Sequence, residues 1–227
     1  MRALAAAQVS LEPGLKAVEI GCGNGSFLFP FAKALDAQFQ SFTLCGYDIS
    51  NLAVEHATMA AREAGESRLS FHLGSAADVA DRFDVVLLMD VVEHVTDPYS
   101  FLAAVHPIAS LVVLHLPIEQ SPAHNVLHKL RQSYNTYHHV HFFSDESMRI
   151  LLEETGFEIL VIRFTAASPE ILRGGGGLVT RAFRLIRYCA YKLWPRISSL
   201  LLGGSVMIVM RPLIADKTIV CDIATTP

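Results

Sequence analysis

A short apolar run ending in closely spaced glycines constrains this chain more than any other feature. Leu15-Lys16-Ala17-Val18-Glu19-Ile20 reads as a buried strand, and Gly21-Cys22-Gly23-Asn24-Gly25 as a tight turn that opens a helix. A strand, turn and helix start of this kind brings backbone N–H groups against a polar ligand at the ligand-binding edge of an α/β sheet. A dinucleotide fingerprint asks for glycine or alanine three places after its second glycine, and that place holds Ser26. The pattern present is Glu19-x-Gly21-x-Gly23-x-Gly25. A carboxylate two places before the first glycine suits a ligand carrying an ammonium group rather than a pyrophosphate.

Downstream, apolar strand patterns alternate with helical ones. Strands are expected at Leu15–Ile20, Phe42–Tyr47, Leu69–Leu73, Phe83–Leu88, Leu111–Leu116, Phe157–Phe164 and Ser205–Met210. Helices are expected over about 2–11, 25–37, 51–65, 98–108, 125–131 and 145–155, with Ser144 as a cap and Gly156 as a stop. At 227 residues the chain has length for one such domain, here 1–212, and a tail over 213–227. Asp48, at the carboxyl end of the second strand, lies where a carboxylate accepts both hydroxyls of a ribose; the competing reading is a helix cap shared with Ser50.

Net charge is −4 with a sequence pI near 6.2, which disfavours a dedicated nucleic-acid binder. The four cysteines form no CxxC pair, so neither a disulfide framework nor a thiolate zinc site is indicated, and a reducing cytoplasm fits. No export signal is read at the N-terminus, and Ile197 to Met210 is too short to span a bilayer.

Three stretches together resemble one family. The glycine turn resembles the cofactor motif of class I S-adenosylmethionine (SAM) methyltransferases. Asp90-Val91-Val92-Glu93-His94-Val95-Thr96-Asp97-Pro98 and the segment from His141 to Ile159 resemble the small-molecule branch that includes ubiquinone-biosynthesis O-methyltransferases. The resemblance covers roughly residues 13–165. It implies a doubly wound, seven-stranded, mostly parallel sheet with the last strand antiparallel, and SAM as cofactor. It places Glu19, Gly21, Cys22, Gly23 and Gly25 at the methionine end, Asp48 and Ile49 at the ribose, and Ser75 and Ala76 at the adenine. Asp90 falls on the floor of the cofactor site. Ser75 stands where the family has Asp, which leaves Ala76 main chain and Asp78 as substitutes. The Glu93-His94 pair is placed toward the acceptor.

Methyl transfer from a sulfonium is an in-line displacement, so positioning dominates and a base matters mainly for a hydroxyl acceptor. Candidate bases are His141 first, then His94 and His139, with Glu93 beside them and His115 and His138 behind. His141 leads because it precedes Phe142-Phe143 at the end of a long polar connection, 117–143, read as a lid. No metal is assigned, because strand-like alternation would scatter His138, His139 and His141 to both faces.

Residues 171–204 form an insert, and from Ile171 to Ala215 there are seven Arg or Lys and no Asp or Glu. On a helix, Leu178, Val179, Ala182, Phe183, Leu185, Ile186, Cys189, Leu193 and Trp194 share one half. Arg181, Arg184, Arg187, Tyr188, Tyr191 and Lys192 share the other. Such a helix suits peripheral membrane contact through Leu178–Trp194, packing over the domain or pocket, or a dimer interface. The expected activity is methyl transfer to a small, apolar acceptor, most readily at oxygen. A non-catalytic SAM-fold module that uses this helix, or a nicotinamide-dependent oxidoreductase, are the alternatives.

Overall fold

The computed structural model describes residues 14–165 and 177–213. Seven strands form one sheet: β1 (Leu15–Ile20), β2 (Phe42–Asp48), β3 (Leu69–Leu73), β4 (Phe83–Met89), β5 (Ala109–Ile118), β6 (Phe157–Thr165) and β7 (Gly204–Pro212). Their spatial order is β3-β2-β1-β4-β5-β7-β6, and all pairs are parallel except those of β7, which runs antiparallel to β5 and β6. The doubly wound sheet with an antiparallel last strand is the one expected. Its order reverses between β1 and β4, and ligands of such sheets bind in that crevice, at the carboxyl ends of the strands.

Side-chain alternation divides the core between two faces. Val18, Ile20, Val86, Leu88, Val112 and Leu114 pack beneath α3 (Pro98–Val105) and α6 (Asp145–Glu154). Leu15, Ala17, Val85, Leu87, Leu111 and Val113 pack on the opposite face, toward α1 (Leu28–Asp36) and α2 (Asn51–Glu63). Each fully buried aliphatic side chain contributes roughly 1.5–3 kcal/mol, so β1, β4 and β5 make a rigid platform under the crevice.

Two helices depart from expectation in their ends or number. α1 starts at Leu28 rather than near Gly25, because Gly25 takes φ +78°, outside helical space. The lid holds two helices, α4 (Pro122–Val126) and α5 (Lys129–Tyr137), because His128 at φ +51° breaks the run. Both lid ends are pinned: Ile118 bridges to Phe143, whose carbonyl accepts from the N–H groups of Glu119 and Gln120. In the insert, α7 (Leu178–Leu193) is followed at once by α8 (Pro195–Leu202); Pro195 ends the first helix and also opens the second, where its missing N–H costs nothing. The helix expected near residues 2–11, the insert's glycine entry through Gly176 and the tail from residue 214 lie outside the described residues.

Candidate active site

The glycine turn is built to let main chain approach a ligand. Gly21, Gly23 and Gly25 all have positive φ. At Gly21 a Cβ would lie 2.6 Å from Val91 Cγ2, so a side chain there is excluded by space as well as by conformation. Asp48 ties the turn to β2: one carboxylate oxygen accepts from Gly23 N–H at 2.8 Å and the other from Ser50 N–H at 2.8 Å. Ser50, whose hydroxyl accepts from Ala53 N–H, is the cap of α2, so Asp48 is not the cap. Each of its oxygens can accept a further hydrogen bond. Ile49 beside it is 82% exposed, an apolar surface at the end of β2 for a flat group to lie on.

Glu19 sits under the turn, 2% exposed, with Oε2 lacking any hydrogen-bond partner among the described residues. Burial, and then the nearby Asp48 charge, push its pKa up to about 8. A buried carboxyl without a partner is costly to ionise until a cation arrives, which is what an ammonium group would supply. Cys22 is buried, and burial together with Glu19 and Asp48 lifts its thiol to about 12. It is a packing residue, and Gly46 is small enough to admit its sulfur. After β3, Ser75 donates both its N–H and its hydroxyl to Asp78 Oδ2, at 2.7 and 2.8 Å. Asp78 thus caps its own turn, while Ala76 is buried beside it.

The segment after β4 carries most of the titratable groups. Asp90 takes φ +52°, its N–H donates to His115 O, and its Oδ1 lies 2.6 Å from His115 Nδ1. Glu93 is fully buried with both oxygens unpartnered among the described residues, and burial pushes its pKa up to about 8. The lid then comes over it: the N–H groups of Val140 and His141 both donate to Glu93 O. His94 and His139 meet edge to face at 4.9 Å. One ligand atom each from Glu93, His94 and His139 falls within 4.8 Å of the others. His139 Nδ1 is held at 2.8 Å by buried Glu119, itself bonded by Ser133 Oγ, and His94 Nδ1 faces His138 O at 3.3 Å. Among the described residues each ring's Nε2 has no hydrogen-bond partner, so the Nδ1 contacts orient the rings as outer carboxylate and carbonyl partners do for metal-binding imidazoles. Partial desolvation lowers the His94 pKa, which favours the neutral, ligating form of the ring. These three side chains therefore suit a divalent cation.

His141 departs from the cluster: its Nε2 faces Thr96 O at 3.2 Å and its ring stacks near Phe143. Glu119 and Ser133, which orient His139, are not marked by the sequence motifs; the available signal is a Glu directly after a mostly apolar strand.

On the α1 face, an apolar cavity of about 850 Å³ lies between Phe27, Phe31, Met89, Val113, Phe164, Thr165, Pro195 and Met207, among others. α8 borders this cavity through Pro195, and α7, which packs on α8, sits in an unexpected rotation. Tyr191, assigned to the polar half, is 2% exposed and donates its hydroxyl to Gly203 O. Leu185, Ile186, Leu193 and Trp194, assigned to an apolar packing half, are more than half exposed, as are Ile197 and Leu201 on α8. Packing of that apolar half on the domain is therefore overturned for these residues: the tyrosine finds both an apolar seat and a carbonyl partner, and the aliphatic side chains are left outside.

A doubly wound seven-stranded sheet with a glycine turn, a carboxylate at the end of β2 and an orphaned acid beneath the turn has the Rossmann-like methyltransferase architecture. The model of the methyltransferase domain family matches residues 2–161, and the chain belongs to that family. Ubiquinone biosynthesis O-methyltransferases are similar over part of their length. The Caulobacter sp. (strain K31) protein is 38% identical over 93 residues, 39% of this chain and 34% of that one. The Rhodopseudomonas palustris (strain BisA53) protein is 37% identical over 111 residues, 45% of this chain and 40% of that one. The matched stretch thus spans well under half the length of these relatives. Magnesium protoporphyrin IX methyltransferase from Synechocystis PCC 6803, solved with bound SAH, has the same fold at TM-score 0.59 and 19% identity, over 88% of this chain and 75% of that one. The cyclopropane synthase MmaA2 of Mycobacterium tuberculosis shares it too, at TM-score 0.61 and 17% identity, over 92% of this chain and 82% of that one.

Proposed function

We propose that this protein binds SAM and transfers its methyl group to an oxygen of a small, largely apolar acceptor. The observation that carries the reading is Glu19, a buried carboxyl left without a partner directly beneath the glycine turn. It matches the ammonium of a methionine moiety and would repel the pyrophosphate of a nicotinamide cofactor. Asp48 then supports a ribose and Ile49 the adenine side, with Ser75 and Ala76 at its rim. The 850 Å³ cavity is apolar and of the size of ligand pockets generally, so it supports an apolar acceptor.

The test is incubation with SAM and a panel of apolar phenols, catechols and quinols, with products read by mass spectrometry. A methylated oxygen is expected; methyl transfer only to nitrogen or carbon, or none with any member, would refute the oxygen assignment. Glu93, His94 and His139 favour a second element, a divalent cation that orients the acceptor. An arm with EDTA followed by magnesium or zinc is expected to show activity lost and restored, and activity indifferent to EDTA would remove the cation.

We place the enzyme in the cytoplasm, at an anionic membrane surface. Among the described residues no helix is long and apolar enough to cross a bilayer. Ile186, Leu193, Trp194 and Ile197 are exposed next to exposed Arg181, Lys192 and Arg196, a pattern matched to acidic headgroups over an acyl boundary. Phosphatidylglycerol vesicles are expected to sediment the protein and phosphatidylcholine vesicles not. Replacing Ile186 and Trp194 together by Ser, at positions where folding tolerates it, is expected to weaken this binding about tenfold or more; unchanged sedimentation would rule out this face.

A further inference from the structure

We propose that His115 is the base that takes the acceptor proton, with Asp90 as the residue that positions it. The assignment rests on the oxygen-acceptor reading above and goes beyond it to a pair that the sequence motifs do not mark as a unit.

His115 and Asp90 are joined twice. Asp90 N–H donates to His115 O at 3.2 Å, and the side chains meet at 2.6 Å. This double tie holds Asp90 at φ +52°, a conformation that costs a non-glycine residue about 1 kcal/mol or more and is retained where the surroundings enforce it. A carboxylate accepts only, so Nδ1 carries the hydrogen and Nε2 presents its lone pair. Thr165 Oγ1, at 3.4 Å, is the hydrogen-bond neighbour of Nε2. That contact is long enough for an acceptor hydroxyl to replace it.

Position favours the pair on both sides. Val91, next to Asp90, presses on Gly21, so the dyad stands one residue from the glycine turn that holds the methionine end. On the other side, Met89, His115, Met207 and Arg163 lie in register across β4, β5, β7 and β6. Met89, Met207, Arg163 and Thr165 line the apolar cavity, and the titratable neighbours of His115 in that row and its end are Arg163 and Asp90. An oriented imidazole whose register neighbours Met89 and Met207, and whose Nε2 partner Thr165, line the apolar cavity is the arrangement a phenolic acceptor needs. The Glu93-His94-His139 group lies instead beneath the lid main chain at Val140 and His141.

In the reaction the acceptor O–H proton passes to His115 Nε2 as the oxygen forms its bond to the methyl carbon. The carbon–sulfur bond breaks with its electron pair going to sulfur, leaving neutral S-adenosylhomocysteine. The imidazolium is balanced by Asp90 and loses its proton to water after product leaves.

The experiment compares two catechols in wild type and His115→Gln. With 4-tert-butylcatechol, protonated at neutral pH, the variant is expected to lose about 100-fold or more in kcat. With 4-nitrocatechol, already ionised, the loss is expected to stay within about fivefold, because no base is needed. Equal losses on both, or none on either, would overturn the assignment while leaving the oxygen-acceptor reading in place. Failure of the wild type with both would overturn the acceptor reading and the base with it. Independently of turnover, nitrogen NMR of the ring is expected to show the Nδ1–H tautomer in wild type and its loss in Asp90→Asn. An Nε2–H ring in wild type would also overturn the proposal.

Discussion

Asp48→Ala is expected to raise the dissociation constant for S-adenosylhomocysteine by about 10²–10⁴-fold, measured by calorimetry, the loss of two charge-assisted bonds at roughly 1.5–3 kcal/mol each. The carboxylate has two tasks. It fixes Gly23 N–H and Ser50 N–H at 2.8 Å each, which shapes the turn and the start of α2, and under the proposed function its remaining lone pairs take a ribose. Ser50→Ala provides the control, because Ser50 is the helix cap. That variant is expected to lose about 0.5–2 kcal/mol of stability and bind the nucleoside within a few-fold of wild type. Binding by Asp48→Ala equal to wild type would refute the ribose role and leave only the turn.

Much of this site was legible because it is local. β1 and β3 have the boundaries expected, since each is an apolar run closed by glycine. Asp48 was legible because a doubly wound sheet fixes where the second strand ends. The histidines were not. His139 turns toward Glu119 and His141 toward Thr96 because His138 takes φ +61° and two lid N–H groups meet Glu93 O. Those bonds join residues twenty or more positions apart, and strand-like alternation has no knowledge of them. Likewise, the two halves of α7 followed from its period, but which half docks was decided by Tyr191 meeting Gly203, a contact with the start of the next strand. His115 and Asp90 belong to the same class: one lies within β5 and the other directly follows β4, and only the parallel pairing of these strands makes them neighbours.

The second large effect expected concerns Glu19 and pH. Its carboxyl has an ordinary pKa of 4.5 in the unfolded chain and about 8 in the folded protein, chiefly through burial. Between these values the folded state keeps a proton that the unfolded state has released. Stability of the ligand-free protein therefore falls as pH rises from about 4.5 to about 8, by up to roughly 1.4 kcal/mol per pH step from this group, and the contribution is fully present only below that window. Glu19→Gln removes the ionisation. Relative to wild type, the variant is expected to melt at a similar temperature near pH 5 and at least about 5 °C higher near pH 8. Glu93, raised to about 8 for the same reason, adds a parallel slope that is common to both proteins and cancels in the comparison. With S-adenosylhomocysteine the order reverses. The incoming ammonium favours the ionised carboxylate, so binding near pH 7 is expected to release close to one proton in wild type and none in Glu19→Gln, read from calorimetry in buffers of different ionisation enthalpy. The variant gains stability in the free state and loses affinity in the bound one, the pattern of a buried acid kept for a cation. If the two melting curves stay parallel across pH, or proton release is the same in both, Glu19 does not face the ammonium and the methionine end must be held elsewhere.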